Sequence, residues 1–285
     1  MTSVLLALLL ATSPTAAAGA TVPAIANPEA APQPIQPVPA PPADPNEPGT
    51  IVQDTVAGGM HWRLMTDRGP VHIWRPAGFD WRTAGTLVYL HGFYTSADMC
   101  WEQHRLAEQF RQSRRNAVFV VPETTIVGNE RLKWGELEPL LFAVQSQAHV
   151  SVPPGPVVVM GHSGAFRNIL SWLNSTRMEE IILIDGFYNS EPDFAGWLNN
   201  EKDKKPADRR MVLVGFETAE RSEAFLPSFG EALFREGIPD DPGQFKRHEK
   251  RARLLYVHSQ YDHMSLITEG KAIPVLLRLA PFRPL

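Results

Sequence analysis

Ser163 stands in the run Met160-Gly-His-Ser-Gly-Ala165, between the β-branched stretch Val157–Val159 and a helical pattern from Ala165 to Asn174. A buried strand that turns directly into a helix pushes the residue at the turn out above the sheet. It also strains that residue's backbone and demands small neighbours. Gly161, Gly164 and Ala165 meet the demand. A hydroxyl displayed there, over the unpaired N–H groups of a helix start, is placed to attack a carbonyl, provided an imidazole takes its proton. His258 and His263 follow the last apolar run, in Leu254-Leu-Tyr-Val-His-Ser-Gln-Tyr-Asp-His263. Asp185, Glu217 and Asp262 fall near the ends of apolar runs after Ser163 and are the carboxylates that could orient a base. The alternative for Ser163 is a turn serine that caps the helix.

The elements that would position these groups are legible as a rhythm. Apolar runs at Thr86–Gly92, Asn116–Glu123, Gly155–Ser163, Glu180–Gly186, Arg209–Phe216 and Ala252–Ser259 alternate with helical patterns such as Met99–Ser113. The runs are continuous and rich in β-branched residues, as strands covered on both faces are. Ahead of them, Met60–Met65 and Pro70–Pro76 flank the turn-prone Thr66-Asp-Arg-Gly69 and read as an antiparallel hairpin. The expectation is an α/β fold: one doubly wound, mostly parallel sheet of about eight strands, helices on both faces, and an antiparallel hairpin at the start.

With strand, Gly-His-Ser-Gly-Ala turn and helix in this order, and Leu-His-Gly two strands earlier, the sequence from about Thr86 onward resembles the α/β-hydrolase superfamily. Ala165 replaces the last glycine of the usual nucleophile elbow. The run also resembles small exported bacterial hydrolases with a Gly-His-Ser-Gly-Ala elbow. The resemblance implies a serine hydrolase in the chain order serine, acid, histidine, with Ser163 as nucleophile. His263, in the loop opening the final helix, is favoured as base over His258, which sits at the end of a strand. Superfamily members usually carry the acid after the strand of Glu217 and in some cases one strand earlier. Asp185 is favoured, because an ionised aspartate ending an apolar run needs a partner that a histidine would supply. Glu217 stays as the alternative acid; Asp262 suits a turn. Two donors are needed where negative charge develops on acyl transfer, and Gly92 lets the backbone approach the serine, so the N–H groups of Phe93 and Gly164 are the expected oxyanion hole. His91 and His162 are expected to pack locally. The implied reaction is cleavage of an ester or amide through an acyl-enzyme; a non-catalytic binding module of the cell envelope on the same fold is the alternative.

Composition narrows the classes further. The 285 residues carry 27 basic and 31 acidic side chains, a net charge of −4, which offers no field to gather nucleic acid. The single cysteine, Cys100, excludes an intrachain disulfide and a multi-cysteine metal site. No metal and no cofactor is expected: a zinc-protease spacing and a phosphate loop are both missing. The basic runs Glu201–Arg210 and Phe245–Arg253 are expected to be solvated ends of elements, or else a grip for an anionic envelope polymer. Residues 1–20 read as a signal peptide without a basic start, and too short to span a bilayer. Residues 21–49, dominated by proline and alanine, read as a disordered tether, and the folded domain is expected over 51–285. Secretion or a periplasmic location follows, with a small-molecule or polymer-bound acyl group as substrate and no membrane span.

Overall fold

The computed structural model describes residues 44–199 and 209–285. The signal-peptide expectation, most of the tether and most of the first basic run lie outside the described residues. Ten strands form one sheet: β1 Ile51–Val56, β2 Gly59–Thr66, β3 Gly69–Arg75, β4 Gly85–Leu90, β5 Ala117–Pro122, β6 Val157–His162, β7 Met178–Ile184, β8 Arg210–Gly215, β9 Leu233–Glu236 and β10 Leu254–His258. Their spatial order is β1-β2-β3-β5-β4-β6-β7-β8-β10-β9. The β1–β2, β2–β3 and β3–β5 pairs are antiparallel and all others parallel. This is an α/β-hydrolase-like architecture, with the antiparallel hairpin where it was expected.

Two strands exceed the expected eight, and both lie at sheet edges. β1 is exposed along nearly its whole length, and β9 has four residues with two of them exposed, so neither carries an apolar run. Helices α1 Ala97–Gln103 and α2 Leu106–Ser113 replace the single helix expected over Met99–Ser113. The break is at Arg105, whose backbone is left-handed at φ 49°. The remaining helices are α3 Leu137–Ser146, α4 Phe166–Trp172, α5 Glu191–Leu198, α6 Ala219–Phe225, α7 Ser265–Thr268 and α8 Ala272–Leu276.

Period-two alternation sends each central strand into two cores at once. Val88, Val120, Val159, Ile181 and Leu213 enter one core with side chains of α3, α4, α5 and α6, among them Leu140, Ile169, Trp197 and Phe225. Their neighbours Leu87, Phe119, Val158, Ile182 and Val212 enter the other, with Phe110, Leu266 and Leu276 of α2, α7 and α8. Double coverage explains why these strands read as unbroken apolar runs. Six of the seven tryptophans are buried, so core packing accounts for those six; Trp81 alone is exposed. Cys100 is buried beside the Thr95 hydroxyl, and burial pushes its thiol up to about 12.

Residues 44–49 belong to the fold rather than to a tether. The Gly49 N–H donates to the Met65 carbonyl at 2.8 Å, and Arg63 donates to the carbonyl of Pro45 at 2.8 Å. Arg63 also forks onto Asp98 of α1 through Nε and Nη2 at 2.7 and 2.8 Å. His72 of β3 reaches the same carboxylate at 2.8 Å, and His61 of β2 bridges His72 at 3.0 Å to Asp54 of β1 at 2.6 Å. Trp101 stacks on both imidazoles, with centroids 4.6 and 4.9 Å away. This cluster fixes α1, and with it the far end of the loop that begins at His91.

The Arg63 hydrogen bonds, aided by His72 and opposed by burial, hold the Asp98 carboxyl well below the usual carboxylate range. A depressed carboxylate stabilises the fold above its unfolded pKa, and that contribution is lost as pH falls toward the folded value. Asp98→Asn should therefore cost about 1–2 kcal/mol at neutral pH, a charge-assisted pair discounted for its partial exposure. Urea unfolding at pH 7 and at pH 3 checks this: the gap between variant and wild type should narrow at the lower pH, and a constant gap would contradict it.

Candidate active site

β6 is central in the sheet, and Ser163 leaves its end with a left-handed backbone, φ 52°. A three-residue 3-10 turn, Ser163–Ala165, then leads into α4. The small neighbours are needed for contact reasons that differ at each position. A Cβ on Gly161 would sit 2.7 Å from the Ile169 side chain of α4, and one on Gly164 would sit 2.6 Å from the Phe93 ring. From the β7 side, a Cβ on Gly186 would come within 2.9 Å of the Ser163 carbonyl oxygen. The turn is thus packed on three sides, by an aliphatic side chain, a ring and backbone.

The loop after β4 lies against this turn. A Cβ on Gly92 would meet the Ser163 Cβ at 3.0 Å. His91 holds the loop's start: its ring contacts Glu123 at 3.0 Å, the Thr124 N–H at 3.0 Å and the Gly92 carbonyl at 2.8 Å, all out of solvent. Glu123 in turn accepts from the Ala97 N–H at the start of α1, at 3.2 Å. His91 is therefore a packed loop histidine. Among the described residues no group accepts from the Phe93 N–H, and the Gly164 N–H lies in a first helical turn, where no intrahelical acceptor exists.

Asp185 follows β7 with a left-handed φ of 44° and no exposed surface. Its Oδ1 accepts from the N–H groups of Phe216 and Thr218, both at 2.9 Å, and from the Thr218 hydroxyl at 3.0 Å. Its Oδ2 accepts from the Glu217 N–H at 3.2 Å and from His263 Nδ1 at 2.7 Å. Burial alone would push this carboxyl up. The imidazole and the three backbone donors outweigh it and hold the group well below the usual range. The hydrogen bond to Asp185 raises His263 against the opposing effect of burial, and the charges of Asp185, Glu217 and Asp262 add to the rise.

The other expected residues have more exposed surroundings or different partners. Glu217 contributes its N–H to Asp185, but its carboxylate is 56% exposed and 3.8 Å from His263. Asp262 is exposed and caps α7 through the N–H groups of Met264 and Ser265 at 3.0 and 2.8 Å. His258 ends β10 beside two exposed carboxylates, Glu223 and Glu236. His162 departs from its expected local packing, reaching across the chain to the His263 carbonyl at 3.0 Å.

Asp185, Glu217 and His263 bring one ligand atom each to within 4.8 Å of one another, a spacing a metal ion could use. Both Asp185 oxygens already take five donors between them, so a cation there would have to displace hydrogen bonds that keep a buried charge satisfied.

Tyr188 is a further residue beside the serine. Burial raises the pKa of its phenol against the opposing influence of the Ser163 side chain, so the phenol stays protonated. The signal for it was weak, a tyrosine three residues past Asp185. Among the described residues no hydrogen bond joins Ser163 to His263 directly, a contact often long before substrate binds.

No protein-family model and no curated protein matches the sequence. Solved structures resemble it at low identity. An S-formylglutathione hydrolase from Agrobacterium tumefaciens is 16% identical with a TM-score of 0.42, over 81% of this chain and 99% of that one. A feruloyl esterase module from Clostridium thermocellum is 10% identical at 0.47, over 79% and 87%. A fluorophosphonate-binding serine hydrolase from Staphylococcus aureus is 8% identical at 0.48, over 81% and 98%. At such values the chemistry of this chain has to be read from its own side chains.

A histidine whose folded pKa is raised stabilises the fold below its unfolded pKa and loses that contribution as pH climbs through the folded value. An NMR titration should accordingly place the His263 midpoint above 6.5 in the wild type and lower it in Asp185→Asn. His162, pushed down to about 3 by burial and by the His263 charge, should show no transition near neutrality. A wild-type His263 midpoint below 6.5 would contradict the assignment.

Proposed function

We propose that the protein is an exported serine hydrolase that cleaves an ester or amide through an acyl-enzyme, with Ser163 as nucleophile, His263 as base and Asp185 as acid. The observation that carries this reading is the 2.7 Å pair of a fully buried Asp185 with His263, set beside a strained serine at the end of the central strand. Ser163 Oγ adds to the substrate carbonyl while His263 Nε2 takes its proton. The carbonyl oxygen becomes an oxyanion between the N–H groups of Phe93 and Gly164. His263 returns the proton to the leaving alcohol or amine as the bond to carbon breaks. Water then adds to the acyl-enzyme by the same route and releases the acid and the serine. Asp185 stays ionised throughout and holds the imidazolium and its tautomer. The substrate is a small or polymer-bound acyl group; Tyr94, Phe216 and Met264, next in sequence to Phe93, Glu217 and His263, are exposed and could offer it apolar surface. Export rests on the first 20 residues as read in the sequence.

The absence, among the described residues, of a hydrogen bond between Ser163 and His263 favours a second reading, a binding module of the cell envelope that keeps the fold without turnover. Fluorophosphonate labelling separates the two. Labelling at Ser163, absent in Ser163→Ala, supports the hydrolase, and an unlabelled folded protein supports the binding module. Given activity on an ester panel, Ser163→Ala should lose several orders of magnitude and Asp185→Asn roughly 10³–10⁴-fold. Glu217→Gln should stay within about threefold, as expected of an exposed charge. A crippled Glu217→Gln beside a near-normal Asp185→Asn would move the acid to the later strand.

A further inference from the structure

We propose that His162 is a positioning residue that locks the loop of His263 onto the serine turn; this rests on the reading of Ser163, His263 and Asp185 as a catalytic triad. His162 is 3% exposed and its Nε2–H donates to the His263 backbone carbonyl at 3.0 Å, across 101 positions of sequence. The two rings lie 4.4 Å apart at 44°. Through its other nitrogen His162 packs on the loop of Phe93, where a Cβ on Gly92 would come within 3.2 Å of its Nδ1.

The geometry defines a task that Asp185 cannot perform alone. Asp185 holds one ring nitrogen of His263, and a ring held at one atom can still swing with its backbone. The bond from His162 fixes that backbone, so the two contacts together set where Nε2 points. His162 is joined to Ser163 by a single peptide bond, and any shift of the nucleophile carries the base with it. Misplacing reacting groups by about 1 Å can cost on the order of 100-fold in rate, which is the effect such a clamp prevents.

A neutral donor suits the position. Burial first, and then the charge of His263, push His162 down to about 3, so its ring stays neutral while His263 becomes an imidazolium. With a carbonyl as partner, the proton must reside on Nε2. A lysine or arginine there would set a permanent cation against the imidazolium.

The test uses the full chain and the rate of fluorophosphonate labelling at Ser163, followed by mass spectrometry and resolved into kinact and KI. His162→Phe keeps a ring and loses the donor; His162→Asn keeps an amide but places it near the Nδ1 position. His162→Gln puts an N–H close to where Nε2 was. The expected result is a kinact roughly 10–100-fold lower in the Phe and Asn variants with KI unchanged, and recovery of most of the rate in the Gln variant. Should the Phe variant fail to fold, the Asn and Gln pair carries the comparison. Equal kinact in all folded variants and the wild type overturns the clamp and leaves the triad intact. Equal losses in Asn and Gln also overturn it, by showing that the donor does not matter. A wild type unlabelled at Ser163 overturns the triad reading, and the clamp with it.

Discussion

A buried carboxylate without compensation would cost this fold several kcal/mol, and the arrangement around Asp185 is organised by that constraint. Five donors meet its two oxygens, three of them consecutive backbone N–H groups at Phe216, Glu217 and Thr218. Those amides point the same way because β8 ends at Gly215 and α6 begins at Ala219, leaving a three-residue turn between them. The charge thus ties the ends of β7 and β8 together and draws in His263 from beyond β10. Moving Asp185 by one residue would put a β-strand side chain on the opposite face and leave the amide turn without its anion.

Strain is tolerated at the same edge because the sheet below it is rigid. Ser163 and Asp185 both hold left-handed backbones, at φ 52° and 44°, a conformation that side-chain-bearing residues seldom adopt. Each lies at the end of a strand whose residues fill both cores, so the surrounding packing over-determines the turn. Gly186, bonded directly to Asp185, packs on the serine backbone, which couples the two strained residues physically.

Much of this was legible in the chain, and what was not has physical causes. The six apolar runs became β4, β5, β6, β7, β8 and β10 because strands buried on both faces must be continuous in sequence. β1 and β9 escaped notice because edge strands exposed to water carry no such signature. Arg105 breaks a helix with a left-handed arginine, where a glycine would have announced the break. Asp185 could be preferred to Glu217 because an aspartate at the end of an apolar run must find donors, a matter of burial that sequence reveals. The placements of Tyr188 and His162 are different in kind. Each depends on a contact with a residue distant in the chain, and neither residue type nor spacing encodes it.

The nine histidines show why partners, rather than residue type, decide which imidazole can act. His61, His72 and His91 have both ring nitrogens engaged by neighbours, so they are spent as fasteners. His162 has its Nε2 on a carbonyl and is too deeply buried to accept charge. His258 lies near carboxylates, but exposed ones, whose influence water weakens. His263 combines a buried carboxylate at Nδ1 with an Nε2 that, among the described residues, no hydrogen bond occupies. A base needs both properties at once: one nitrogen fixed by an anion that will stabilise the incoming charge, and the other left free to receive the proton.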